Sequence, residues 1–149
     1  MSLFSTLSVS ASGMAAQRTR AELLAENLAN AETTRTPEGG PYRRKDAVFA
    51  TDSVESPFAS VFESARQQIA GAGPEGVGVA DIVVDNRAPE RRYLPGHPDA
   101  DAQGYVAFPR VNPAEDMVDL MGAARGYQAN VAAISAIKDM IQRSLDLFR

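Results

Sequence analysis

A seam of mostly apolar positions runs through the front of this chain at alternating steps of four and three: Leu3, Leu7, Ser10, Met14, Gln17, Ala21, Leu24, Leu28, Ala31. The back repeats the alternation through Met117, Leu120, Ala124, Tyr127, Val131, Ile134, Lys138, Ile141, Leu145 and Phe148. Such steps put one narrow stripe along a helix, the stripe by which helices pack lengthwise. The spacing predicts a first helix from about Ser2 to Ala31 and a last helix from Pro113 to near Phe148. Serines at 5, 8, 10 and 12 together with Gly13 weaken the first helix, so it draws its stability from whatever covers the stripe. The last helix has the better start: Asn112 suits the N-cap, Pro113 the first turn, and Glu115 the place from which a capping-box carboxylate reaches back. At ~1.5 Å per residue it would run roughly 50 Å, farther than a small centre can cover.

Between the helices the period changes. Thr33 to Pro41 is a polar loop punctuated by Pro and Gly. Tyr42–Phe49, Val77–Val84, Arg91–Leu94 and Tyr105–Phe108 are β-branched or aromatic runs bounded by Pro, Gly and Asp, which predicts strands of a small antiparallel sheet. Phe58, Val61, Phe62, Ala65 and Ile69 recur at helical steps and predict a short helix. Gly71 to Gly78 reads as a flexible turn. The expected fold class is α+β, with long N- and C-terminal helices packing as a coiled-coil-like layer beside a small central antiparallel β-rich module. Residues 1–32 and 112–149 form the helical assembly domain, and residues 33–111 the β-rich centre with a flexible Gly-rich segment near 70–78.

Charge and composition narrow the function. A net charge of -4 and a pI near 5.0 argue against a nucleic-acid surface, which needs clustered Lys and Arg. The short run Arg43, Arg44, Lys45 reads as a solvated strand end. Cysteine is absent, which removes disulfides, thiolate nucleophiles and Cys-based metal sites. Residues 2–17 carry no charge and so lack the basic n-region of a secretory signal, and no run reaches the ~18 to 20 apolar residues that span a bilayer. The chain is expected either to stay in the cytoplasm or to leave by a route that reads an intact N-terminus. Neither stripe is backed by the strongly basic face of a membrane-surface helix.

Candidate chemistry is thin. Gly71, Gly73 and Gly76 match a G-x-G-x-x-G loop, but a β-like run follows and Pro74 lacks an amide hydrogen, so a flexible connection is the better reading. His97, Asp99 and Asp101 would suit a hard metal, yet no further ligand stands at a recognisable spacing. Pro95, Gly96, Pro98 and Gly104 mark a turn that the carboxylates stabilise through backbone amides. The single His would have to serve any Ser-His-Asp arrangement, and no Ser lies in a nucleophile-elbow sequence. Asp81 with Asp85 and Glu115 with Asp116 look like solvated charges. No catalytic residue, cofactor or metal ligand is assigned, and an enzyme is not expected.

Asn27, Leu28, Ala29 and Asn30, followed by Ala31 and Thr33, resemble the signature shared by axial proteins of the bacterial flagellum, its rod, hook and hook-associated components. Tyr127, Gln128, Ala129, Asn130 and Val131 are similar to the matching segment of their last helix. Within that superfamily, Pro41 to Lys45 with Val48 and Phe49, Pro98 to Val106, and Asn112 to Val118 resemble the basal-body proximal rod proteins; residues 51–76 fit least. The resemblance implies a structural subunit whose terminal helices line the inner tube of a helical assembly with the β-rich domain outside. It implies export by the flagellar type III apparatus without a cleaved signal, a place in the rod in the periplasmic space, torque transmission, and an enclosed export channel. The implied partners are copies of itself, other proteins of the proximal and distal rod, the basal-body adaptor protein and the export apparatus, with no nucleic acid, membrane span or cofactor. The expected assembly residues are Leu3, Leu7, Met14, Leu24, Asn27, Leu28, Asn30, Met117, Leu120, Tyr127, Asn130, Val131, Ile134, Ile141, Leu145 and Phe148. The asparagines would bond backbone at helix bends or between subunits, with Asn30 alternatively just ending the first helix. Another rod or hook-basal component, or a small helical adaptor or export partner, stays open at this point.

Overall fold

A computed structural model describes residues 3–53 and 75–146. Helix α1 spans Leu3–Ala29, strand β1 Lys45–Ser53, β2 Glu75–Val84, β3 Glu90–Tyr93, β4 Tyr105–Phe108, and helix α2 Pro113–Asp146. The α+β class expected from the two periods is the one observed. Helix α1 stops where Asn30 turns its side chain on its own backbone: Asn30 Nδ2 donates to Glu26 O at 2.9 Å, and Thr33 Oγ1 donates to Asn30 Oδ1 at 3.2 Å. Helix α2 starts at the predicted cap, with Ala114 N donating to Asn112 Oδ1 at 3.2 Å, which satisfies one of the free amides of the first turn.

The strands form two separate two-stranded pieces, β1 with β2 and β3 with β4, where one small sheet was expected. β3 and β4 are antiparallel with Glu90 opposite Phe108 and Tyr93 opposite Tyr105. Their connection is the predicted turn: Asp101 Oδ1 accepts from Gln103 N at 2.9 Å and Tyr105 N at 2.8 Å, and Asp99 N donates to His97 Nδ1 at 3.1 Å. Gly104 closes it at φ +82°, where a Cβ would stand 2.9 Å from the Tyr93 ring, so conformation and space both call for glycine. Several boundaries differ from expectation. Helix α1 ends at Ala29 and not Ala31, β1 runs on past Phe49 to Ser53, and β3 lies one residue earlier than expected. Tyr42 precedes β1 because it is buried in a polar network described below, and Glu75–Gly78 belong to β2, where Gly76 is buried and Gly78 lies against Asp52. The helix expected over Phe58–Ile69, and residues 71–74, lie outside the described residues.

The described residues divide into two compact units, one of residues 3–18, 49–53, 75–80 and 124–146, the other of residues 19–48 and 81–123. Each long helix contributes to both. In the first, Ser10, Ala16 and Ile137 are buried, and Val77 N donates to Ser12 Oγ at 3.1 Å, tying β2 to α1. In the second, Leu23, Leu24, Tyr42, Val106, Phe108 and Ala123 are buried together with Asn27 and Asp116. Among the described residues, only a few positions of each long helix are buried.

Candidate assembly surface

In the first unit the helices approach at glycines. A Cβ on Gly13 would meet Asn130 Nδ2 at 3.0 Å, and one on Gly126 would meet Gln17 Cδ at 3.2 Å. Rising numbers on α1 meet falling numbers on α2, so the two segments run antiparallel. Gly13, which costs α1 helix propensity, is therefore the residue that lets Asn130 lie close against it. Asn130 itself donates to Gly126 O at 3.0 Å and stays within its own helix.

The line of α2 that is buried or half-buried runs Asp116, Leu120, Ala123, Gly126, Asn130, Ile134, Ile137, Ile141, also at steps of three and four. The stripe expected from the sequence shares Leu120, Ile134 and Ile141 with it and otherwise lies one residue aside. Those flanking positions are open: Met117 is 53% exposed, Tyr127 41%, Val131 42% and Leu145 65%. Val118, Met121 and Met140 are exposed as well. On α1, Leu3 is exposed, Leu7, Met14, Leu28 and Asn30 are half-buried, and Leu24 and Asn27 are buried. Phe148 lies outside the described residues. An apolar run this long on a helix surface is the mark of a face built to be covered.

Asn27 has the most fully used side chain of the second unit. It has no exposed surface, its Nδ2 donates to Lys45 O at 2.9 Å, and its Oδ1 accepts from Tyr42 O–H at 2.9 Å and Lys45 N at 3.0 Å. Helix α1 is thereby locked to the start of β1, with Lys45 Nζ on Glu26 at 2.6 Å alongside. Of the basic run only Arg43 is exposed as expected of a solvated strand end, and Arg44 and Lys45 are half-buried in contacts. Arg44 reaches Asp116 at 2.8 Å and Asp46 at 3.1 Å, and Arg43 donates to Asn86 at 2.8 Å. Asp116, expected to be a solvated charge, is 1% exposed. Its carboxyl pKa is raised by burial against the pull of Arg44. Burial was invisible in the sequence because Arg44 and Asp116 stand far apart in it.

Tyr42 gives this network a signature in alkali. Burial first, then the neighbouring Glu26, Asp116 and Asp46, push its phenol from 10.0 up to about 12. A raised folded pKa means the neutral phenol's contribution is complete below the unfolded value and is lost as pH climbs from 10.0 toward about 12. Urea midpoints measured at about pH 9 and about pH 11 should fall more steeply for wild type than for Tyr42→Phe. The variant should start lower by about 1 kcal/mol because Asn27 loses one donor.

Paired terminal helices, a small β part and a long uncovered apolar line define a structural subunit made to pack among others. The model of the family described as Flagella basal body rod protein matches residues 7–35, on α1 and the loop after it. That described as Flagellar basal body rod FlgEFG protein C-terminal matches residues 102–147, which include α2. Over its full length the chain is 40% identical across 151 residues to the flagellar basal-body rod protein FlgC of Bacillus subtilis, covering 99% of each chain. It is 39% identical across 153 residues to the FlgC of Borreliella burgdorferi, covering 100% of this chain and 99% of the relative. The FlgC of Aquifex aeolicus is 34% identical over 150 residues, with 100% and 99% covered. The chain belongs to the FlgC family of flagellar basal-body rod proteins. Among the described residues, no helix is long and apolar enough to cross a membrane.

Proposed function

We propose that this rod protein occupies the proximal rod and assembles helically, its terminal helices forming an axial layer around the export channel and its β-rich residues 33–111 lying outside. The reading is carried by the exposed apolar line of α2 through Met117, Tyr127, Val131 and Leu145, which the subunit itself leaves uncovered. A contact repeated by a screw operation makes a filament, and torque passes along it through packed side chains. Copies of the chain, other proximal and distal rod proteins and the basal-body adaptor protein are the surfaces that cover this line. The role is mechanical, without a catalytic step or cofactor. Delivery to the periplasmic rod is assigned to the flagellar type III apparatus. A density map of purified basal bodies carrying a labelled chain tests the reading: the label should lie in the axial rod near its inner end. A chain held instead by one partner in the cytoplasm would support an adaptor.

A further inference from the structure

Within the second unit, the loop before β1, the segment after β2 and the residues after β4 enclose a cleft of about 110 Å³. Arginines stand on its wall from all three: Arg43 and Arg44, Arg87, and Arg110, with Asp85 the one carboxylate among the lining residues and Pro41, Pro89 and Pro109 shaping the rim. Internal partners account for part of this charge. Arg44 is held by Asp116 and Asp46, and Arg87 by Asp85 through contacts as short as 2.6 Å. The hydrogen bonds from Arg87, assisted by its charge and that of Arg110, hold the Asp85 carboxyl down to about 2, so this pair stays ionised and mutually neutralised. Arg43 bonds the neutral amide of Asn86, and both Arg43 and Arg110 are exposed. Neither Arg43 nor Arg110 is in an ion pair among the described residues, although the charge of Arg110 also reaches Asp85 and Glu90; both guanidinium groups stand beside the cleft on a chain whose net charge is -4.

We propose that this cleft receives a carboxylate side chain from an acidic loop of an adjoining rod subunit, with Arg43 and Arg110 as its ligands. The inference rests on the reading that the chain is packed among such subunits. Guanidinium groups match carboxylates as paired donors, and a charged contact at the edge of a packed interface fixes register and rejects wrong neighbours. The proline rim keeps the wall in place before binding, which lowers the ordering cost of the contact. A nucleic acid fits poorly: the cleft takes one side chain, and the acidic chain around it repels a polyanion.

The test reads incorporation into purified basal bodies. Arg43→Glu/Arg110→Glu should be incorporated at least roughly tenfold less than wild type, and Arg43→Lys/Arg110→Lys, which keeps both charges, should lose much less. Since both residues are exposed and outside the ion pairs, the purified reversal variant should stay folded, melting no more than slightly below wild type because Arg110→Glu sets a carboxylate near Asp85 and Glu90; Arg110→Glu alone gives the same reading in the same direction should the double variant fold poorly. A photo-crosslinker replacing Pro89 should capture a subunit peptide that contains Asp or Glu. Wild-type incorporation of both charge-reversal variants, or crosslinks confined to peptides without carboxylates or to nucleic acid, would overturn the cleft assignment while leaving the rod reading intact. Absence of the wild-type chain from the same basal bodies would overturn both.

Discussion

Asn27→Ala is expected to destabilise the isolated chain by roughly 3 kcal/mol, because it removes one side chain and strands several buried groups at once. In the folded chain Asn27 serves Tyr42 O–H, Lys45 N–H and Lys45 C=O together, with no surface open to solvent. Each orphaned group that water cannot reach costs on the order of 1 to 3 kcal/mol, and alanine leaves too little room for water to replace the amide fully. Asn27→Asp should fare no better, since it keeps the acceptors but loses the donor to Lys45 O and adds a negative charge beside Glu26. The measurement is urea unfolding of the purified monomer. An unchanged midpoint for Asn27→Ala would contradict the lock between α1 and β1.

How much of this was legible in the sequence differs by element. Both helices were, since the alternating steps persist over many turns, and so was the start of α2, which Asn112–Pro113 marks. Tyr105–Phe108 was legible as a strand, and His97 to Gly104 as a turn. Which line of α2 faces its own chain was not. Alternating steps of three and four are satisfied equally by two lines one residue apart, and the ordinary preference for large apolar residues inside chooses the wrong one. The inner line holds Gly126 and Asn130 where the two helices come close and leave little space, and the buried Ala123 before them, while Tyr127 and Val131 stand outside. The charged network was hidden for another reason. Arg44 and Asp116 each look solvated alone, and only the fold brings them to 2.8 Å. The same holds for Asn27, which the motif marks but whose partners at Tyr42 and Lys45 no local pattern reveals.

That inversion of large and small residues makes the second large effect. Val131→Asp should leave the monomer nearly as stable as wild type, within about 0.5 kcal/mol, because an exposed position away from caps and buried networks tolerates substitution. In the rod as proposed here the same position is covered. A carboxylate buried there without a partner costs several kcal/mol, and every subunit of the assembly incurs it. Tyr127→Asp, one turn earlier on the same line, should behave alike, whereas Asp139→Ala, which removes a charge from an exposed polar position, should be nearly silent. Leu28→Asp and Ile134→Asp are expected to block assembly too, but both residues are half-buried in the subunit, so they mix loss of fold with loss of packing. The most direct measurement is therefore the amount of Val131→Asp chain in purified basal bodies relative to wild type, alongside its melting curve as a monomer. The account expects a normal melt, near-absence from basal bodies and cells without completed rods; mutant chain at wild-type level in the basal bodies of swimming cells would contradict it.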